Sequence, residues 1–207
     1  MFRDRNDAAR RLAERLKVYR GRDPLVLAIP RGSVPMAKII ADDLGGEMDV
    51  VLVRKLRAPN QPELAIGSVN ESGWTFISEY AEIYGADDDY IASEKRLQLE
   101  TIRKRRAQYT PIRPPIDPTG RIVIIVDDGL ATGATMISAL HGLRAKKLAK
   151  LICAVPVAPA DTLEKVAEMA DVVICLEVPE FFRAVGQFYD YFPQVDDDEV
   201  IKILKDA

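Results

Sequence analysis

The chain is poor in the residues that carry most familiar chemistry. Its 207 residues include one histidine, two cysteines and one tryptophan. Neither a Ser-His-Asp triad nor a zinc site can be built around one histidine and two separated cysteines. His141 reads as a helix-surface residue. Cys153 and Cys175 fall in apolar, strand-like runs, which suits reduced core thiols and excludes a disulfide framework. No apolar run reaches membrane-spanning length, and the stretch Met1 to Asp7 has no signal-like apolar region, so a cytoplasmic protein with no membrane contact is expected. A net charge of -3 argues against a nucleic-acid partner. The one basic block, Arg103-Lys104-Arg105-Arg106, sits in a helical pattern rich in Glu and Gln and reads as a solvated face.

What the chain does contain is concentrated in residues 121–136, Arg-Ile-Val-Ile-Ile-Val-Asp-Asp-Gly-Leu-Ala-Thr-Gly-Ala-Thr-Met. Ile122 to Val126 is a short β-branched run flanked by Gly120 and Gly129, the pattern of a buried strand. Asp127 and Asp128 then fall at its carboxyl end, where open α/β sheets bind ligands. The loop from Gly129 to Thr135 holds three residues with little or no side chain (Gly129, Gly133 and Ala134) and two hydroxyls (Thr132 and Thr135). Such a loop lets backbone N–H groups converge on an anion at a helix N-terminus. A phosphate cradle directly after two carboxylates suits a ligand with a phosphate beside a vicinal diol. No Gly-Lys-Ser/Thr follows the strand, so this is not a P-loop.

Elsewhere the chain alternates strands and helices. Asp4 is placed to cap a first helix with an apolar stripe of Ala8, Ala9, Leu12, Ala13 and Leu16. Leu25 to Ile29 reads as a strand, Pro30-Arg31-Gly32-Ser33 as a turn, and the next helix runs to Leu44 and stops at Gly45-Gly46. Val50 to Val53 reads as a second buried strand ending at Arg54-Lys55. Residues 56–63 read as a turn-rich loop, with a hairpin from Leu64 to Ile77 across Glu71-Ser72-Gly73. A long charged helix covers Asp88 to Tyr109, with a narrow stripe of Ile91, Leu97, Leu99 and Ile102. A proline-rich connector leads into the motif strand. Beyond the motif come a helix to about Lys146, a strand at Leu151 to Val157, a helix at Asp161 to Ala170 and a strand at Val172 to Glu177. Residues 180–194 are irregular and aromatic, and Asp196 with Glu199 caps a terminal helix. The alternation predicts one α/β domain with a mostly parallel central sheet flanked by helices. Arg31, beside a flexible turn and a helix start, is a candidate diphosphate ligand. Arg54 and Lys55 are expected at the same sheet edge.

The string Val123 to Val126, Asp127-Asp128, Gly129-Leu130-Ala131, Thr132-Gly133-Ala134-Thr135 resembles the phosphoribosylpyrophosphate (PRPP) motif of the type I phosphoribosyltransferases. The likeness covers about residues 25–178. More narrowly, its combination with Pro-Arg-Gly and Val-Arg-Lys-Leu looks like bacterial phosphoribosyltransferase-domain proteins of undefined substrate. The resemblance implies the type I fold with a small hood, for which residues 180–194 are the candidate, and an insertion over about residues 64–110. It implies a pyrophosphate loop at Pro30-Arg31-Gly32-Ser33 with a non-proline cis peptide around Arg31-Gly32, a basic residue at Lys55, and a mobile loop within residues 56–66.

The implied activity is displacement of pyrophosphate from ribose C1 of PRPP by a nucleobase or similar nucleophile, with Mg2+. Arg31 and Lys55 would stabilise the leaving group, with Gly32, Ser33 and Arg54 beside them. Asp127 and Asp128 would hold the ribose hydroxyls and meet the metal indirectly, through PRPP and water. Gly129, Leu130, Ala131, Thr132, Gly133, Ala134 and Thr135 would anchor the 5'-phosphate. Ala131 stands where the 6-oxopurine enzymes carry an Asp, which removes the residue that would handle a purine proton. Two rivals stay open: a non-catalytic PRPP- or nucleotide-binding regulatory module, and another α/β enzyme using the Asp pair for metal. The Thr-Gly-Ala-Thr loop opposes the latter. The acceptor, and a homodimer, are left open by the sequence.

Overall fold

A computed structural model describes residues 1–207. Its elements are α1 (Arg5–Leu16), β1 (Leu25–Ala28), α2 (Val34–Leu44), β2 (Glu47–Val50), β3 (Val53–Ala58), β4 (Gln61–Asn70), β5 (Thr75–Ile77) and α3 (Asp88–Tyr109). They are followed by β6 (Ile122–Val126), α4 (Ala134–Arg144), β7 (Lys150–Val157), α5 (Ala160–Ala167), β8 (Val172–Glu177) and α6 (Asp197–Lys205). The central sheet has five strands in the order β2-β1-β6-β7-β8, and every neighbouring pair is parallel. A second sheet, β3-β4-β5, is antiparallel.

A parallel sheet covered on both faces reads as continuous apolar strands. In β6, Ile124 and Val126 join the core on the face of α1 and α2, while Val123 and Ile125 join the core beneath α4. The stripe expected on α1 is buried in full, and Asp4 caps that helix by accepting from the amide of Asp7. Gly45 ends α2 in the left-handed conformation.

The strand order explains where a site can form. From β1 the chain moves outward to β2. From β6 it moves the other way, through β7 to β8. The connections diverge between β1 and β6, leaving a crevice at the carboxyl ends of those two strands. The turn at residues 30–33 and the motif loop after Val126 both open into it.

Four sequence expectations need correction. The apolar run Val50 to Val53 is no single strand: β2 ends at Val50 and the chain leaves the sheet, so Arg54 and Lys55 belong to β3 of the second sheet. Residues 56–66 are no loop: they form the end of β3, a tight turn with Asn60 at positive φ, and the start of β4. In α3, Leu97 is exposed, and the inward face is carried by Glu94, Gln98, Ile102 and Tyr109. Arg54 donates to Gln98, and the backbone amide of Arg57 donates to Glu94, so polar side chains from α3 satisfy β3. The basic block is also less solvated than expected, because Arg106 pairs with Glu71 and donates to the Val50 carbonyl.

Tyr109 ties α3 to α6. It is fully buried and donates to Asp197 Oδ1 at 3.3 Å. Burial, with the Asp197 charge, pushes its phenol up from 10.0 to about 12. A pKa raised on folding contributes stability that is complete below the unfolded value and is lost as pH climbs through the folded one. The urea midpoint should therefore fall between pH 10 and about 12. It should fall less steeply in Tyr109→Phe, and parallel curves for the two proteins would contradict this assignment.

Candidate active site

A cavity of about 490 Å³ fills the crevice. Four segments line it: Ile29 to Gly32 after β1, Val53 to Lys55 with Arg57 on β3, Pro62 to Ala65 on β4, and Asp127 to Thr135 after β6, with Val185 closing one side. The structure thus brings Arg31, Gly32, Arg54, Lys55 and Asp127 through Thr135 together. Ser33 is the exception. It is fully buried, and its hydroxyl donates to the Ile29 carbonyl at 2.6 Å, so it braces the turn and presents nothing to a ligand. The cis peptide in this turn is Pro30–Arg31, one bond before the expected place.

The two carboxylates are each half committed. Asp127 Oδ1 accepts from the Asp128 amide at 2.9 Å. Asp128 Oδ2 accepts from Arg5 Nε at 2.9 Å and forms an ion pair with Nη2 at 2.8 Å. The other oxygen of each has no protein partner, and both residues line the cavity. Gly32 is required by this arrangement, because a Cβ there would lie 2.1 Å from Asp128 Oδ2. Burial raises the Asp127 carboxyl well above the usual carboxylate range, and the neighbouring Asp128 charge adds to this, against Lys55 and Arg5. Burial also raises Asp128, opposed chiefly by Arg5. Two adjacent acids in a low-dielectric crevice favour a ligand that brings hydroxyl donors or positive charge.

Around them stand four cations, Arg31, Arg54, Lys55 and Arg57. Burial lowers the Arg54 pKa, and the charges of Arg105, Arg57 and Arg31 lower it further. Arg31 lies 3.6 Å from Asp197 on α6. Among the residues lining the cavity these four cations face three carboxylates, Asp127, Asp128 and Glu63, and such a concentration of positive charge fits a polyanionic ligand.

The motif loop provides donors beside this cluster. The amides of Ala131, Thr132, Gly133 and Thr135 carry no backbone hydrogen bond, whereas Leu130 N–H is committed to the Val157 carbonyl at 2.9 Å. Leu130 therefore lines the cavity without offering its amide. Ala131 has its carbonyl held by Thr162, which fixes the loop from α5.

Sequence reasoning missed Arg5, and it reached Arg57 and Glu63 only as part of the covering loop within residues 56–66, and Val185 and Tyr189 only as part of the hood at 180–194. Arg57 follows Lys55 on β3, and a strand reading of residues 53–58 would have found it. The aromatic stretch 181–192 divides. Phe181 and Tyr191 are exposed, while Phe188 and Tyr189 are buried. Val185 presses on the motif, for a Cβ on Gly129 would meet its Cγ1 at 2.6 Å, and the Tyr189 hydroxyl donates to the Asp128 carbonyl at 2.6 Å. His141 stacks on Trp74, with ring centroids 3.7 Å apart, outside the cavity.

The chain has known relatives. The chain belongs to the phosphoribosyl transferase domain family, whose model matches residues 3–193. A Mycobacterium tuberculosis protein named "Putative phosphoribosyl transferase" is 43% identical over 209 residues, in each of two strains. That alignment takes in 100% of this chain and 47% of the relative, so the chain spans about half the length of the curated relatives it matches. A solved structure from Thermus thermophilus, that of the protein TT1426, is 43% identical, with a TM-score of 0.82, covering 99% of this chain and 98% of that one.

The loop geometry yields a direct test. Inorganic phosphate titrated into labelled protein should shift the amide resonances of Ala131, Thr132, Gly133 and Thr135 and leave Leu130 the least affected. Shifts confined to residues outside 131–135 would contradict the assignment.

Proposed function

We propose that the chain is a phosphoribosyltransferase that uses PRPP, with a nucleobase or similar nitrogen nucleophile as acceptor. One observation carries the reading. Two adjacent carboxylates, each with one oxygen held and one without a protein partner, lie between an amide-lined loop and a cluster of four cations. On this reading the loop takes the 5'-phosphate, the carboxylates take the ribose hydroxyls, and Arg31, Lys55 and their neighbours take the diphosphate.

In the reaction the bond from C1 to the diphosphate oxygen breaks, and a bond from the acceptor nitrogen to C1 forms. Positive charge develops on the ribosyl ring, and the Asp127–Asp128 pair favours it electrostatically. Negative charge develops on the departing diphosphate, where Arg31, Lys55, Arg54 and Arg57 oppose it; preorganised groups of this kind contribute several kcal/mol. No group of three or more His, Cys, Asp or Glu side chains is arranged as a metal cage. Asp127 and Asp128, each with one oxygen free of protein partners, would meet Mg2+ brought in with the diphosphate through water, and the ion would supply charge neutralisation of the leaving group. No helix is long and apolar enough to cross a membrane, which is compatible with a cytoplasmic enzyme of nucleotide metabolism.

Ala131 leaves the loop without the acid of 6-oxopurine enzymes, so hypoxanthine and guanine are disfavoured as acceptors. The alternative, a module that binds PRPP without turnover, is decided by screening bases for pyrophosphate release. Release with one base supports an enzyme, and binding without release for every base supports the module.

Asp127→Asn leaves the Arg5–Asp128 pair intact. It removes a charge-assisted bond to one hydroxyl, worth about 1.5–3 kcal/mol, so calorimetry should show PRPP affinity lower by about 10- to 150-fold. Unchanged affinity in the folded variant would remove the carboxylates from the account.

The β3–β4 hairpin overhangs the cavity through Arg57 and Pro62 to Ala65. A covering element shields a cationic ribosyl centre from water. Amide exchange in residues 57–65 should slow when PRPP and Mg2+ are added. Exchange that stays the same at saturation would show that the hairpin is a fixed wall.

A further inference from the structure

Arg5 and Asp128 are separated by 123 positions in the chain, yet their side chains meet at two points. Arg5 Nε and Nη2 reach the same oxygen, Asp128 Oδ2, at 2.9 and 2.8 Å. The third guanidinium nitrogen, Nη1, donates to the Pro193 carbonyl at 2.5 Å. Its central carbon lies 3.7 Å from the centre of the Phe192 ring. A planar fork bound on three sides and stacked on a ring has one orientation.

The other boundary is as firm. Gly32 packs against the same oxygen, Oδ2, beside Arg5 Nη2, and the Tyr189 hydroxyl fixes the backbone carbonyl of Asp128. The charged and titratable groups facing Asp128 are then Asp127 from its own turn, Lys55 from β3, Arg5 from α1 and Tyr189 from the C-terminal segment. Of the two cations only Arg5 touches the carboxylate, through one charge-assisted hydrogen bond and one ion-pair contact.

A buried ion pair is a poor device for stability alone, because desolvating both ions offsets their attraction. This one is almost wholly buried, with side-chain exposures of 10% and 17%. Neighbouring Arg3 and Arg11 on the same terminal segment face solvent or Asp7 instead. Arg5 does not line the cavity, so it touches no ligand there. Its contacts act through Asp128.

Resting on the PRPP reading of the site, we propose that Arg5 is a positioning residue for the ribosyl group: it pins one oxygen of Asp128 so that the other is aimed at a ribose hydroxyl, and it takes no part in phosphate binding. Residues 181–193 share the task, since Pro193 and Phe192 hold Arg5 in turn.

The test compares three ligands, PRPP with Mg2+, ribose 5-phosphate, and pyrophosphate with Mg2+, by calorimetry on wild type, Arg5→Gln and Arg5→Lys. In Arg5→Gln, affinity for PRPP and ribose 5-phosphate should fall about 10- to 100-fold, the range for a lost charge-assisted contact, while pyrophosphate affinity stays at the wild-type value. Arg5→Lys keeps the charge and loses the fork, so it should restore part of the ribose affinity. A purely structural role predicts equal losses for all three ligands, following the drop in melting temperature, and that result overturns the inference. So does wild-type affinity for ribose 5-phosphate in a folded Arg5→Gln protein. If Arg5→Gln does not fold, Arg5→Lys decides alone: a loss selective for the ribose ligands supports the inference, and a uniform loss or no loss overturns it. A wild-type protein that binds pyrophosphate but neither ribose ligand refutes the PRPP reading itself, an outcome distinct from the others.

Discussion

Two neighbouring carboxylates cannot be buried at the end of an apolar strand unless something balances them, and the arrangement of this molecule follows from how that is done. Burial raises the proton affinity of both Asp127 and Asp128. The balance comes from four directions. An arginine reaches in from α1, a lysine from the hairpin of the second sheet stands nearby, a backbone amide in the turn donates to one oxygen, and Gly32 permits the closest approach. The remaining demand for positive charge and hydroxyl donors is the property a sugar-phosphate ligand answers.

The parallel sheet makes this possible at low cost elsewhere. β1 and β6 are buried on both faces, so the backbone at their carboxyl ends is held by packing rather than by the site residues. Both loops then leave the sheet where the connections diverge, and each opens a helix. The second sheet has a different task. It carries Arg54, Lys55 and Arg57 over the crevice on a hairpin, and α3 braces it through Glu94 and Gln98. The two anion-loop candidates thus lie at the sheet edge and the cationic hairpin lies across the crevice from them.

Much of this was legible in the chain, for identifiable reasons. Ile122 to Thr135 announces a strand, an acidic pair and an anion loop because each residue type has few other uses in that order. α1, α2 and α3 show their caps, stops and charge patterns, and the observed bounds of α3 coincide with the expected ones. The errors arose where local signals served two purposes. Pro59, Asn60 and Pro62 signal a turn, but the turn is two residues long and the flanking residues pair as strands. The run Val50 to Val53 is continuous in hydrophobicity, but its middle is where the chain passes between sheets. Ser33 looked like an anion ligand and is instead a brace for Ile29. Arg5 was illegible: an arginine in the first turn of an amphipathic helix carries no mark of a partner brought to it only by the fold.

The central claim is that the free oxygens of Asp127 and Asp128 receive a ribose diol while residues 131–135 receive its 5'-phosphate. The most direct measurement is a crystal structure of the protein soaked with PRPP and Mg2+. The expected result is one ribose hydroxyl on each carboxylate at hydrogen-bond distance, the 5'-phosphate on the amides of Ala131, Thr132, Gly133 and Thr135, and the diphosphate between Arg31 and Lys55. PRPP bound in the reverse direction, or bound with its ribose away from the carboxylates, would contradict it.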